Sequence, residues 1–132
     1  MRIYLDSSAL VKLVAREPES EALRGFLRRH REDGRVTSAL ARVEVVRAVL
    51  EGGPPAVAHA RRQLSRVDQV HVDDELLDSA ALLRSAGLLR SLDAIHIATA
   101  QLLGPDLLSL VSYDHRMQDA AAGLGLPVDA PS

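Results

Sequence analysis

The 132-residue chain has no cysteine, no tryptophan and one lysine, Lys12; Tyr4, Tyr113 and Phe26 are its only aromatic residues. Without thiols there is neither a disulfide framework nor a thiolate metal site, which disfavours zinc and is compatible with a reducing compartment. So few aromatics make base stacking an improbable basis for nucleic-acid recognition. No apolar run approaches the ~20 residues of a membrane-spanning helix, and the chain opens on a strand-like segment rather than on a charged leader and apolar stretch of signal-peptide length. A soluble, cytoplasmic protein without membrane association is expected.

What is present suffices for a core: 47% of residues are hydrophobic, enough for one domain spanning residues 1–132. The net charge of −2 comes from 18 acids against 16 bases. Four of those acids, Asp6, Glu44, Asp93 and Asp114, are candidates for a site, and without them 14 acids remain, so the rest of the surface is mildly basic. Arginine carries nearly all the positive charge, and its planar fork suits phosphate. Runs such as Arg24, Arg28, Arg29, Arg31 and Arg35 also suit a solvated helix face, and a GC-rich genome explains the arginine excess equally well.

Strands and helices alternate along the chain. Arg2 to Leu5 reads as a buried strand, followed by helices over Ser7 to Ala15 and Glu19 to Arg31, with Pro18 at the break. Val36 to Ser38 is a second strand. A helix over Ala41 to Leu50 shows an apolar stripe of Val43, Val46, Val49 and Leu50, and Gly52, Gly53, Pro54 and Pro55 stop it. A helix over Ala56 to Leu64, a strand near Val67 to Val72 and a helix over Asp74 to Ala86 follow, with Gly87 as the natural end of the last. Leu92 to Leu103 is helical, Leu107 to Ser112 is a strand, His115 to Ala122 is helical, and Leu126 to Val128 adds an edge strand. This order predicts a three-layer α/β/α unit with a mainly parallel sheet of four to five strands.

In open parallel sheets ligands bind beyond the carboxyl ends of the strands, where Asp6 and Asp114 fall. Glu44 lies on the helix after the second strand, and Asp93 opens the helix before the fourth, so all four acids are placed to face one crevice. Converging carboxylates repel in a poorly solvated site, which a divalent cation resolves. Each acid also has a plainer reading. Asp6 and Asp114 suit helix N-caps, Asp93 suits the first turn of a helix, and Glu44 can pair with Arg47 one turn along. Glu44 fits least well, because it lies between Val43 and Val45. Ser7, Ser8 and Ser112 suit local backbone partners, and His96 and His115 suit a helix surface. Crowding of the acids predicts that at least one carboxyl pKa is raised.

Four segments, "IYLDSSALVKL" (Ile3 to Leu13), "TSALARVEVVRA" (Thr37 to Ala48), "LRSLDAIHIATA" (Leu89 to Ala100) and "LVSYDHRM" (Leu110 to Met117), resemble the motifs of the PIN domain family in their usual order. Within that family the resemblance is to the VapC-type toxins of bacterial toxin–antitoxin pairs. It implies that Asp6, Glu44, Asp93 and Asp114 form an acidic cluster holding Mg²⁺ or Mn²⁺ for RNA phosphodiester hydrolysis, and oxygen-only ligands suit those hard cations. By the same resemblance Asp6 and Asp93 are the most direct ligands, while Glu44 and Asp114 bind a second ion, act through waters or orient the nucleophile. Ser8 and Ser112 are implied as supporting residues, and Arg116 as a contact to the scissile phosphate or a surface ion pair. The implied partners are an RNA substrate such as tRNA or rRNA, a VapB-type antitoxin and a second copy of the chain, with apolar positions between Ser7 and Arg31 as candidate contacts.

Other readings lose a residue they need. A haloacid-dehalogenase-type phosphatase requires an acid where Ser8 stands, and a response-regulator receiver requires a late lysine, whereas Lys12 is the only one. The alternative from a different class is a catalytically inactive PIN-like module that binds RNA or protein.

Overall fold

A computed structural model describes residues 1–132. Its five strands are β1 (Arg2–Leu5), β2 (Gly34–Ser38), β3 (Asp68–Val70), β4 (Leu107–Val111) and β5 (Val128–Asp129). The helices are α1 (Ser7–Val14), α2 (Ser20–Arg29), α3 (Ala41–Val49), α4 (Gly53–Leu64), α5 (Asp74–Ala81), α6 (Ser91–Gln101) and α7 (His115–Gly123). The strands form one sheet in the order β3-β2-β1-β4-β5, and every pairing is parallel.

Side chains alternate across a strand, and β1 shows the consequence. Ile3 and Leu5 face a core built with Leu10 of α1, Leu23 of α2, Val45 of α3 and Leu64 of α4. Tyr4 faces the opposite way, into a core with Val36, Leu110, Ile97 of α6 and Met117 of α7. The two cores on either face of the sheet make the expected three-layer α/β/α arrangement. A smaller apolar cluster joins α5 to α6 through Leu76, Ala80, Ala94 and Ala98.

The central strand β1 pairs with β2 on one side and β4 on the other, so the chain changes direction across the sheet between β3 and β4. Such a reversal opens a crevice beyond the carboxyl ends of the adjacent strands β1 and β4. The Asp6 amide donates to the Val111 carbonyl at 3.2 Å, which carries the ladder one bond past β1 before α1 turns away.

Several boundaries differ from the sequence reading. The buried face of α3 is Ala41 and Val45, while Val43 and Leu50 are exposed, because the helix turns its i, i+4 positions from Ala41 onto the sheet. Gly53 begins α4 rather than ending the previous helix: its φ of 77° makes the turn, and Pro54 and Pro55 occupy the first helical turn, where their missing N–H groups cost nothing. Helix α5 stops at Ala81, before Gly87. There the Leu82 and Leu83 amides close tight turns onto the Ser79 and Ala80 carbonyls, and Leu83 and Leu89 fold inward while Leu82 and Leu88 stay exposed. No large hydrophobic residue between Ser7 and Arg31 is exposed; those that are include Val43, Leu50, Leu77, Leu82, Leu88 and Leu92.

Leu110 is fully buried on the α6–α7 face. Leu110→Ala should cost about 2–5 kcal/mol of unfolding free energy, measured by urea denaturation; a loss below about 1 kcal/mol would show that this core collapses around the void.

Candidate active site

Asp6 ends β1 and caps α1. Its Oδ1 accepts from the Ala9 amide at 3.0 Å and the Ser8 hydroxyl at 2.6 Å, so the helix-cap reading is correct and incomplete. The carboxylate is almost wholly buried, and burial raises its pKa despite the opposing bonds from Ser112, Ser8 and the Ala9 amide. A raised carboxyl was expected from mutual repulsion; removal from water is the dominant cause instead.

Ser8 and Ser112 tie this end of the site to β4. The Ser8 hydroxyl lies 3.4 Å from that of Ser112 and accepts from the Tyr113 amide at 2.9 Å. Ser112 in turn accepts from the Asp114 amide at 3.1 Å. Asp114 caps α7 by accepting from the Arg116 amide at 2.9 Å. The Arg116 side chain is exposed and has no carboxylate within ion-pairing distance; it borders a groove that Arg84 and Gly87 also line.

Glu44 does not pair with Arg47. Its Oε1 accepts from the Ser7 hydroxyl at 2.6 Å and lies 2.6 Å from His96 Nε2, while Ser7 and His96 are 3.3 Å apart. Burial pulls the Glu44 pKa upward, yet the bonds from His96 and Ser7 and the nearby charge of Arg90 outweigh it and hold the carboxyl below its ordinary range. His96 is buried, not on the helix surface as its type suggested. Its Nδ1 sits 2.7 Å from the Tyr4 hydroxyl, which burial keeps protonated by raising its pKa. With the Tyr4 hydroxyl donating to Nδ1, the Nε2–H donates to Glu44, and both ring nitrogens are satisfied. A polar line thus runs from the α6–α7 core through Tyr4 and His96 to Glu44.

Asp93 lies in the first turn of α6, one turn before His96. Its Oδ2 accepts from Arg90 Nε at 3.0 Å, and a terminal nitrogen of the same guanidinium donates to Asp114 Oδ2 at 3.0 Å. Two hydrogen-bonded runs link the site residues, one from Asp6 through Ser8, Ser112, Asp114 and Arg90 to Asp93 and one from Ser7 through Glu44 to His96; the backbone closes them into a circuit, since Ser7 follows Asp6 and His96 lies one turn after Asp93 on α6. As placed, no three of the His, Asp and Glu side chains stand close enough together to share one ion. The donor chemistry fits a hard divalent cation, since every acid offers carboxylate oxygens, and a cationic guanidinium already lies between two of them.

Sequence reasoning missed Ser7, Tyr4, Arg90 and the burial of His96. Two signals were available. In the α6 segment "LDAIHIATA" the only charged residue is Asp93 and the other polar ones, His96 and Thr99, follow it at steps of three, so the helix has no charged stripe to turn toward water and its histidine is buried with it. An arginine at a helix N-cap opposes the dipole, so Arg90 stood where its charge is locally disfavoured.

An all-parallel sheet with carboxylates gathered at its switch point defines an α/β protein with an acidic site at the carboxyl edge. The family model described as "PIN domain" matches residues 3–123. The chain is 57% identical to Ribonuclease VapC46 of Mycobacterium tuberculosis (strain ATCC 25618 / H37Rv) over 131 residues, covering 98% of each chain. It is 44% identical to Ribonuclease VapC35 of the same organism, with 98% of this chain and 96% of the relative covered. Among solved structures it resembles the M. tuberculosis sarcin–ricin-loop-cleaving toxin VapC20, with a TM-score of 0.76, 20% identity, and 98% and 99% of the two chains covered. It also resembles VapBC2 from Rickettsia felis bound to a DNA fragment from their promoter, with a TM-score of 0.72, 13% identity and full coverage of both chains. The chain belongs to the PIN domain family.

Two measurements follow from the site's electrostatics. Because the Asp6 pKa is raised above 3.8 in the folded chain, the native state holds that proton more tightly, and ionisation weighs against folding as pH rises past that value. Asp6→Asn keeps a capping oxygen and removes the charge, so its melting temperature at pH 7 should exceed wild type, with the gap closing toward pH 4; a lower melting temperature or a pH-independent gap contradicts this. His96→Phe preserves bulk but strands Tyr4 and weakens the hold on Glu44, and should cost about 1–3 kcal/mol in urea unfolding. An unchanged stability would mean that the polar line contributes nothing.

Proposed function

We propose that residues 1–132 act as one PIN unit, a Mg²⁺- or Mn²⁺-dependent endoribonuclease and the toxin of a VapBC-type pair. The observation that carries the reading is the closed circuit, which gathers Asp6, Glu44, Asp93 and Asp114 from four separate stretches of chain to one edge of the sheet. The full-length similarity to ribonucleases named VapC46 and VapC35 supports the same activity.

Asp6 and Asp93 would hold the ion most directly, with Glu44 and Asp114 completing the acidic set. When bound, the ion would supply Lewis acidity, activating water and neutralising charge that builds on the phosphate. The chain's own residues do the rest. Ser8 and the Ala9 amide fix the Asp6 carboxylate. Both bonds to Glu44 fall on Oε1, leaving Oε2 of an ionised carboxylate to accept a hydrogen bond from the attacking water and orient it. Ser112 sets the start of α7, and with it Asp114. Arg116, without a carboxylate partner, is free to meet a substrate phosphate beside Asp114.

VapC20 cleaves the sarcin–ricin loop, which supports structured RNA of the translation apparatus, tRNA or rRNA, as the target class. The solved VapBC2 assembly supports a VapB-type antitoxin as partner. The exposed Val43 beside Val46 and Leu64 offers apolar surface for that partner or a second copy of the chain. Nothing in the chain is long and apolar enough as a helix to cross a membrane, which fits an RNA substrate met in the cytoplasm.

Purified wild type and Asp6→Asn, each with a pool of structured cellular RNAs and Mg²⁺, Mn²⁺ or EDTA, test this reading. Discrete products that require the ion and fall at least about 100-fold in the variant are expected. Equal cleavage, or none by folded wild type on any RNA in the pool, would favour the inactive binding module.

A further inference from the structure

Arg90 is the one cation that touches two of the four acids, and nothing about its local position favours it there. It occupies the N-cap of α6, where a positive charge meets the positive end of the helix dipole, and its side chain makes no capping bond. Its guanidinium instead spreads across Asp93 Oδ2 and Asp114 Oδ2, 3.0 Å from each, joining a helix to the turn after β4. The acids beneath are more sheltered than the cation: the Arg90 side chain is 51% exposed, against 12% for Asp93 and 32% for Asp114. Its charge also reaches Glu44, so three of the four acids lie within its influence.

The segment that carries Arg90 is suited to movement. Residues 82–90 form no helix or strand beyond the end of α5; between the turn bonds of Leu82 and Leu83 and the Arg90 carbonyl that opens α6, the tie is a bond of 2.7 Å from the Ser85 hydroxyl to the Gly87 carbonyl. Leu89 anchors the segment on the α6–α7 core and on the smaller α5–α6 cluster, which leaves the side chain after it to swing without unseating the backbone. A guanidinium and a divalent ion compete for the same carboxylate oxygens, and with Arg90 on two of the acids no three of them stand close enough together to share an ion.

Building on the metal-dependent reading above, we propose that Arg90 is an exchangeable countercation: its guanidinium clasps Asp93 and Asp114 before the divalent ion binds, gives them up to that ion, and is thereby released to the phosphate of the bound RNA. One residue then serves twice. It neutralises the acids so that the site assembles without an ion, and it adds a forked phosphate contact once the ion has taken its place.

The test uses the full chain with ¹⁵N-labelled arginine, its Arg90 Nε–H signal assigned by loss in Arg90→Lys. Saturation with Mg²⁺ should shift that signal or abolish its protection from exchange. Calorimetry should show Arg90→Gln binding Mn²⁺ about fivefold to tenfold more tightly than wild type, with Arg90→Lys between them, as expected for loss of a charge-assisted competitor. RNA cleavage by Arg90→Gln should nevertheless fall about tenfold or more through the lost phosphate contact. A signal unmoved at saturating Mg²⁺, Mn²⁺ affinity unchanged or weakened in Arg90→Gln, or cleavage equal to or above wild type each overturns the exchange while leaving the ion in place. Absence of Mn²⁺ binding by wild type and both variants, all folded by circular dichroism, overturns the metal-dependent reading itself.

Discussion

Gathering carboxylates at one edge of a sheet is electrostatically costly, and the rest of the site is arranged around that cost. Each acid has its own compensation. Asp6 is neutralised in part by a helix amide and the Ser8 hydroxyl, Glu44 by His96 and Ser7, and Asp93 and Asp114 by a single guanidinium. The compensating groups link to one another, so the acids are held through a network rather than by direct contact between like charges. Asp6 remains the least relieved: burial outweighs its bonds and lifts its pKa.

The fold supplies that network from parts with ordinary structural duties. Asp6 and Asp114 are true helix caps, and His96 lies in a helix buried for packing reasons. The switch in strand order between β3 and β4 places the ends of β1 and β4 side by side, which brings the Asp6 and Asp114 turns together. A structural role and a chemical one are therefore not alternatives at these positions, and weighing one against the other for a single residue has little meaning until the neighbours are known.

The strands, their parallel order and the four acids were legible because they follow from short-range pattern: apolar runs that end in Asp, helices broken by Gly and Pro, and motif segments in family order. What was not legible depended on long-range placement. Residues that touch Glu44 and Asp114 lie 52 and 24 positions away, and nothing local identifies His96 or Arg90 as their partners. The early end of α5 escaped for a related reason. Gly87 marks a helix end by propensity, but the inward turn of Leu83 and Leu89 onto the core ends the helix at Ala81. That tertiary override is what delivers Arg90 to the acids.

The circuit is proposed above to be one ion-dependent centre for RNA hydrolysis. Anomalous scattering from crystals of the chain grown with saturating Mn²⁺ tests it most directly. A Mn²⁺ peak ligated by Asp6 and Asp93, with the Arg90 guanidinium withdrawn from Asp93, is the expected result. Well-ordered crystals with no peak at these acids, or with Mn²⁺ bound only elsewhere on the surface, would contradict it.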